Sequence, residues 1–193
     1  MDTSHTPTPQ PSSVSADQLP WYAVRLFTLR LKAVTEYFRE KDLELFVPMA
    51  YVDYEDKEGR VKRELRPVVR NLVFIKKTMT QREMMHMVSE CPYKVSVIRH
   101  SRLDKNYYEI PARQMDEFRL MCNPEVEMRK YISEEEAKLK AGDPVDVVFG
   151  PFKGLSGRLV RQNHKYYLLK EVPGMGVMLK ISRWCCKPKK DIK

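Results

Sequence analysis

The side chains best suited to chemistry in this sequence are four histidines and four cysteines, and their spacing does not assemble a catalytic or metal centre. The histidines fall in unrelated segments: His5, His86, His100 and His164. The cysteines lack a CxxC pair: Cys91, Cys122, Cys185 and Cys186. Two adjacent cysteines do not have the reach of two ligands of one tetrahedral zinc. With no HExxH, nucleophile elbow or paired carboxylates, we expect no enzyme and no cofactor.

The remaining chemical signal is positive charge. The chain carries a formal net charge of +9, and residues 142–193 hold eleven Lys/Arg against four Asp/Glu, a balance of +7. Residues 1–20 have a balance of −2, which leaves +4 for residues 21–141. A basic surface attracts polyanions, above all nucleic acid. Charge alone does not separate a nucleic-acid-binding protein from a merely basic domain, and both interpretations stay open.

The first twenty residues are rich in Pro, Ser and Thr, without the basic start and apolar stretch of a signal peptide. Such a composition buries too little surface to offset ordering entropy, so it predicts a mobile tail over residues 1–20. No run of eighteen apolar residues occurs, which excludes a transmembrane helix. We therefore expect a cytoplasmic protein without a membrane partner.

Residues 21–123 alternate predicted strands and helices. WYAVRLF, LELFVPM, PVVRNLVFIKK and KVSVIRH have the β-branched and aromatic content of strands. Alternating apolar and charged residues on either side of Glu58-Gly59 predict an exposed hairpin. Helical spacing from Leu31 to Phe38 predicts a first helix. Thr80 as N-cap, with Glu83 completing a capping box, predicts a second helix.

A third helix is predicted after Pro111, whose fixed backbone suits a first helical turn. The resulting order, β-α-β-hairpin-β-α-β-α, predicts an α+β fold in which helices flank a mainly antiparallel sheet. Residues 124–141 are charged and weakly periodic, so we interpret them as a linker with a helical turn beginning at Ser133.

Residues 142–190 predict a small all-β barrel, because short strands such as VDVVF, GRLVRQ and YYLLKEV follow one another closely. Four of the chain's seven glycines lie between positions 142 and 157. We expect Gly150, Gly154 and Gly157 to provide positive φ angles or close backbone contacts at a tight turn. No Gly-Lys-Ser/Thr follows, so the segment does not indicate a phosphate-binding loop.

The segment VDVVFGPFKGLSGRLVRQNHK resembles a KOW motif. A KOW barrel behind a domain that opens with WYAVRLF and contains PVVRNLVFIKK resembles the NusG family of transcription elongation factors, over residues 21 to about 188. This resemblance implies an N-terminal NGN domain (21–123) that binds RNA polymerase and a C-terminal SH3-like KOW domain that recruits a second partner. It also implies a bacterial protein.

One segment departs from the family pattern. Family members commonly carry an aromatic-Pro-Gly-Tyr or aromatic-Pro-Asn-Tyr sequence before the central strand, whereas this chain has Val69-Arg70-Asn71-Leu72. The Pro-rich tail and the charged hairpin are also unusual for the housekeeping factor. We therefore favour a specialised antiterminator paralogue that serves particular operons, of the UpxY-like kind found in capsule loci.

The resemblance implies a polymerase-binding surface that grips the coiled coil of the polymerase clamp. The residues expected at or beside this surface are Tyr22, Val24, Phe46, Val69 and Leu72. By position, the residues expected to reach the opposite lobe of the polymerase are Thr78, Thr80 and Gln81. The alternative is that the apolar members are core side chains.

The resemblance also implies contact with the non-template DNA strand, nascent RNA or both. For the first helix, the expected contacts are Arg30, Lys32, Arg39 and Lys41. For the barrel, they are Arg158, Arg161 and Lys165, with the C-terminal KPKKDIK segment. The alternative is that these charges are simply solvated.

Phe152, at the glycine turn, is the expected partner-binding residue of the barrel; in the family an aromatic there contacts a ribosomal protein or Rho. The alternative is that its ring folds back over the barrel. Two other functions stay open: a Rho-recruiting general elongation or termination factor, and a ribosome-associated RNA-binding protein.

Overall fold

The computed structural model describes residues 18–189. Residues 1–17 of the predicted tail (1–20) and residues 190–193 of the predicted nucleic-acid-binding KPKKDIK segment lie outside this part of the chain. The N-terminal region consists of the elements β1 (Trp21–Leu26), α1 (Leu31–Arg39), β2 (Leu45–Phe46), β3 (Met49–Glu55), β4 (Val61–Pro67), β5 (Leu72–Lys76), α2 (Gln81–Glu90), β6 (Val95–Val97), β7 (Glu109–Ile110) and α3 (Ala112–Met121). The C-terminal region consists of β8 (Arg129–Ser133), α4 (Glu134–Leu139), β9 (Asp143–Val147), β10 (Ser156–Gln162), β11 (Lys165–Val172), β12 (Met175–Lys180), a 3-10 turn (Arg183–Cys185) and β13 (Cys186–Pro188).

The first sheet has the antiparallel order β2-β5-β1-β6, with β7 also paired to β1. Helix α2 begins as predicted: the hydroxyl of Thr80 accepts from the backbone N–H of Glu83, and the Glu83 carboxylate accepts from the N–H of Thr80 at 2.8 Å. The β3–β4 hairpin turns at Gly59, whose φ is +77°, and most of its residues are exposed. The predicted α+β organisation of this region is confirmed.

Successive side chains of β1 and β5 point to opposite faces of the first sheet, and both of these faces are apolar. One face packs against α1 and α2 through side chains that include Tyr22, Val24, Val73 and Ile75. The opposite face carries Trp21, Ala23, Leu72 and Phe74. This second face packs against α3, and its core continues into the C-terminal barrel through residues such as Leu168 and Met175. The two regions therefore share one hydrophobic core.

The second sheet has the order β13-β9-β10-β11-β12-β8, which agrees with the predicted all-β barrel. Gly150 and Gly154 have φ angles of +84° and +96°. Gly157 is needed for close approach, because a Cβ there would lie 2.6 Å from the carbonyl oxygen of Leu169. The predicted roles of these three glycines, positive φ or close backbone contact, are therefore confirmed.

The segment expected to be a linker is more ordered than its composition suggests. Ser133 caps α4 by accepting from the N–H of Glu136 at 3.1 Å, as predicted. The preceding strand β8 is not predicted by the sequence, and it pairs with β12 from Met175 to Leu179. Ala137 of α4 is fully buried, and Gly176 leaves room for it, since a Cβ at Gly176 would lie 3.0 Å from the Cβ of Ala137. Residues 129–139 are thus part of the barrel.

Candidate functional site

The residues expected to bind the polymerase divide between the two faces of the first sheet. Tyr22 and Val24 are completely buried on the face that packs against α1 and α2. The hydroxyl of Tyr22 donates to Glu109 Oε1 at 3.4 Å, and its ring packs edge-on against Tyr107 at 5.6 Å. Burial raises the pKa of this phenol. These two side chains occupy core positions.

Phe46, Val69 and Leu72 lie together on the opposite face, at the core shared with the barrel. The ring of Phe46 is 6.1 Å from that of Phe74, and the guanidinium of Arg119 lies 5.6 Å from its centroid. Phe46 and Val69 are half-buried, whereas Leu72 is 3% exposed. This apolar face, defined by Phe46, Val69 and Leu72, is the part of the predicted docking surface that the fold brings together.

The barrel covers this apolar face. Gly174, in the turn between β11 and β12, sits against Leu72, because a Cβ at Gly174 would lie 2.8 and 2.9 Å from the two methyl carbons of Leu72. A cleft of about 570 Å³ remains beside this contact, lined by Val69 and Leu72 from one region and by residues including Tyr131 and Met175 from the other. The apolar face is therefore partly covered within the chain itself.

A buried polar cluster joins α3 to the barrel. The Glu117 carboxylate accepts from Lys170 Nζ and from the hydroxyl of Ser156 at 2.9 Å. It also accepts from Arg113 at 3.1 Å. Burial alone would raise the pKa of Glu117, but these donors outweigh burial and hold it below its usual range. Gln114 adds a bond from its amide to the carbonyl of Glu171 at 2.8 Å.

The three residues before and at the start of α2 have different surroundings. The hydroxyl of Thr80 is engaged in the capping box. The Gln81 amide donates to the carbonyl of Lys105 at 3.1 Å and accepts from the N–H of Tyr107 at 3.0 Å. Thr78 is exposed, on the rim of an open hollow that it shares with both of them. Thr78 and Thr80 are both exposed, but the hydroxyl of Thr80 is already engaged in the cap of the helix.

Three of the four cations predicted on the first helix line one pocket. Arg30, Lys32 and Arg39 surround a cavity of about 390 Å³ together with Arg70, while its apolar lining includes Leu29 and Val47. Among residues 18–189, no acidic side chain lines this basic pocket. Arg30 is the N-cap of α1 but provides no side-chain cap, and the first turn contains no acid. The positive end of the helix dipole thus adds to the charge of the pocket.

Lys41, the fourth of these cations, lies outside the basic pocket, with its ammonium 5.8 Å from the centre of the Tyr37 ring.

The three cations predicted to bind nucleic acid in the barrel lie in different surroundings. Arg158 is half-buried and donates to the carbonyls of Ala137 and Lys140 and to Glu171 Oε2, at 2.7, 2.8 and 2.9 Å. This guanidinium thus ties α4 to the barrel.

Arg161 and Lys165 are exposed near the β10–β11 turn. Phe152 is half-buried and packs against the shared core, so its ring is folded back rather than fully presented to solvent.

Sequence reasoning missed several residues. In the sequence, Arg70 stands out only as a departure from a motif, yet it completes the basic pocket. Glu117 and Lys170 give no signal, because their distance along the chain hides their contact. Phe149 and Trp184 are 61% and 90% exposed, and an exposed aromatic has no periodicity that would reveal it.

Within residues 18–189, no helix is long and apolar enough to cross a membrane. The same part of the chain contains no group of three His, Cys, Asp or Glu side chains placed to hold a metal ion.

The described chain consists of an α+β region with a helix-flanked antiparallel sheet, followed by a small β-barrel. The family model described as "Transcription termination factor nusG" matches residues 19–119, a little over half of the chain. The chain therefore belongs to the NusG family and is a transcription elongation factor in the general sense of that family. A comparison with curated proteins gave no match.

Proposed function

We propose that this protein binds the clamp of RNA polymerase through its apolar face and suppresses pausing or termination at particular operons. The observation that carries the proposal is the position of Phe46, Val69 and Leu72 on one face of the NusG-family domain. An amphipathic helical protrusion buries its apolar ridge in such a surface. Each well-buried aliphatic contact contributes on the order of 1.5–3 kcal/mol.

The barrel and the polymerase would compete for this face, because Gly174 already sits on Leu72. Binding therefore requires the barrel to move away from β5. A partner that holds the barrel, such as a ribosomal protein or Rho contacting Phe152, favours the open arrangement. Competition of this kind limits polymerase binding to conditions in which the barrel has been released.

Once docked, the domain bridges the DNA channel, with the segment around Thr78 directed at the opposite lobe. A bridge between the two lobes opposes opening of the clamp, which disfavours pausing and termination. The protein would act by binding alone, without making or breaking a covalent bond. It takes place in the cytoplasm, beside the transcribed DNA.

The basic pocket supports a contact with the non-template DNA strand. Arg30, Lys32, Arg39 and Arg70 converge there without a lining acid, next to an uncapped helix N-terminus. Phosphates are attracted by this charge, and the apolar lining can receive the face of a base. Contacts to unpaired bases would provide a means of choosing particular operons.

Affinity purification after nuclease treatment tests the polymerase contact. The wild-type protein is expected to recover the polymerase subunits, whereas Val69→Asn is expected to recover at least tenfold less. Val24→Ala is the matched control, because it removes a buried methyl pair from the opposite face and destabilises the fold without touching the docking surface. Equal recovery by Val69→Asn and wild type would show that the docking face is wrong.

Transcription in vitro across a terminator tests the sign of the effect. Longer read-through products are expected on addition of the protein. Shorter products would instead support a Rho-recruiting termination factor. Sequencing of nascent transcripts then distinguishes a specialised from a housekeeping role: read-through that changes at one locus supports the former, and a genome-wide change contradicts it.

A further inference from the structure

Two large aromatic side chains stand exposed on the barrel, where they contribute little to its core. Phe149 is 61% exposed and Trp184 is 90% exposed. The register that pairs Val147 with Cys186 continues in the bond from the N–H of Val148 to the carbonyl of Cys185 at 2.8 Å. Phe149 lies two residues beyond Val147 and Trp184 two residues before Cys186, so the two exposed rings flank the same end of the β9–β13 pair.

Cations and a third aromatic continue this edge along the outer surface. The guanidinium of Arg183, next to Trp184, lies 5.9 Å from the centre of the Tyr166 ring. Arg161 is the cross-strand partner of Tyr166 and lies at the same distance from that ring. We call Phe149, Trp184, Arg183, Tyr166 and Arg161 the aromatic–arginine edge.

The charges on this edge are available to an external anion. Within the described part of the chain, neither Arg161 nor Arg183 forms a salt bridge, and the same is true of Lys187 and Lys189 on the adjoining strand and segment. By contrast, Arg158 and Lys170 of the same barrel are paired with glutamates. The barrel thus has two kinds of cation: those that pair with glutamates inside the fold, and those of the aromatic–arginine edge and its neighbouring lysines, which have no acidic partner within the described residues.

We propose that the aromatic–arginine edge binds single-stranded RNA, with bases stacked on Trp184 and Phe149 and phosphates held by Arg183 and Arg161. Exposed rings alternating with cations are suited to unpaired bases, whose π-faces stack on aromatic side chains while the backbone meets positive charge. A duplex keeps its bases stacked on one another and offers no free face to Trp184. The choice of RNA over single-stranded DNA rests on the proposed function, since the transcript is the single strand that leaves a transcribing polymerase.

This edge is separate from the basic pocket of α1, so the two nucleic-acid contacts can be tested independently. The chain contains two tryptophans, and Trp21 is 1% exposed, so Trp184 dominates the fluorescence that an added ligand can quench. Titration of the full-length protein with a twelve-nucleotide oligo(U) RNA is expected to quench this emission. A DNA oligomer of the same length and an RNA duplex are the comparison ligands, and both are expected to bind more weakly.

Binding to labelled oligo(U), measured by fluorescence anisotropy, provides the variant test. Trp184→Ala is expected to weaken binding about tenfold, and Trp184→Phe to retain most of it, because stacking needs a ring. Leu139→Ala is the matched control, since Leu139 is 86% exposed on the same barrel but lies outside the edge. The double variant Arg161→Gln/Arg183→Gln is expected to bind oligo(U) with a weaker salt dependence. The slope of the logarithm of the binding constant against the logarithm of salt concentration should become shallower by about 0.7 for each phosphate that is no longer neutralised.

Several outcomes would overturn the proposal. Binding of oligo(U) that is unchanged by Trp184→Ala but abolished in Arg30→Gln/Arg39→Gln would assign RNA to the basic pocket instead. No binding of RNA at all would indicate that the exposed rings meet a protein. Tighter binding of the DNA oligomer than of the RNA would contradict the choice of RNA. None of these results depends on polymerase recovery, so failure here is distinguishable from failure of the proposed function.

Discussion

Lys170 of β11 donates to Glu117 of α3 in an ion pair whose two side chains are only 11% and 9% exposed. The pair joins the NusG-family domain to the barrel at the core that they share. Ser156 and Arg113 provide further donors to the same carboxylate, which leaves no buried oxygen unsatisfied. A contact so fully satisfied fixes the relative position of the two regions while both charges are present.

Removal of one member of the Glu117–Lys170 pair is expected to lower the free energy of unfolding substantially. Lys170→Met leaves the Glu117 charge buried without its main partner, and loss of one partner of a buried pair typically costs about 3–5 kcal/mol. The double variant Glu117→Leu/Lys170→Met should recover much of this loss, because no unpaired charge remains. Urea unfolding measures both free energies. Lys32→Met is the control, since the Lys32–Glu36 pair is exposed and is expected to contribute less than about 1 kcal/mol.

Acid is expected to loosen the contact between the two regions. Because the pKa of Glu117 is lowered in the folded chain, the carboxylate contributes stability that is fully present above its ordinary pKa of about 4.5. This contribution disappears as pH falls through the lowered value. Small-angle scattering should therefore report a larger radius of gyration below about pH 4.

Glu117→Gln is the comparison for the acid experiment, since other carboxylates, including those of Asp56 and Glu83, also have lowered pKa values. The variant lacks the titrating group, so its radius should depend less on pH over the same interval. Identical pH profiles for the variant and the wild type would contradict a role for Glu117 in holding the barrel.

A side chain at position 174 is expected to act as a wedge. Gly174→Val places atoms where Leu72 and Ile98 now pack, and overpacking of this kind costs about 1–3 kcal/mol. This cost destabilises only the arrangement in which the barrel covers the apolar face, so the variant should expose that face more often. Since release of the barrel limits polymerase binding in the proposed function, the variant should bind polymerase about 5- to 150-fold better.

Gly154→Val is the matched control for the wedge. Gly154 has the same φ of +96° as Gly174, but nothing lies within 4 Å of a Cβ there. The two variants thus share the backbone strain and differ in steric contact. If both variants change polymerase binding equally, strain rather than displacement of the barrel is responsible.

The order of elements is predictable because each element is specified locally. The capping box of Thr80 and Glu83 and the positive-φ turns at Gly59, Gly150 and Gly154 all act within a few residues. Strand β8 escapes prediction because its sequence, RKYIS, is charged and lacks clear alternation, and its stability comes from pairing with β12. A strand specified by its neighbour has a weak signature of its own.

The site is less predictable than the fold. The sequence predicts that Tyr22, Val24 and Leu72 lie on one surface. Because side chains alternate between the two faces along β1 and β5, the register of these strands places Tyr22 and Val24 on the face opposite to Leu72. Coverage of that face by the barrel depends on contacts between residues about one hundred positions apart, such as Leu72 and Gly174. Contacts of this kind have no counterpart in local patterns.

Thr80 allows a test that separates a structural from a binding role. Its hydroxyl accepts from the N–H of Glu83 and donates to the Glu83 carboxylate, so Thr80→Ala is expected to cost about 1 kcal/mol of stability. Thr80→Ser keeps the cap and should leave the free energy of unfolding nearly unchanged. Thr78→Ala removes an exposed hydroxyl outside the helix, so it should also leave stability unchanged.

Transcription assays at a temperature where all three variants are folded then decide between the roles. If the segment contacts the far lobe of the polymerase, Thr78→Ala should reduce read-through although its stability is normal. Thr80→Ser should behave like wild type in both measurements. Read-through that follows only the stability of α2, with Thr78→Ala fully active, would assign this segment a structural role, because the cap and not the exposed hydroxyl would then account for the effect.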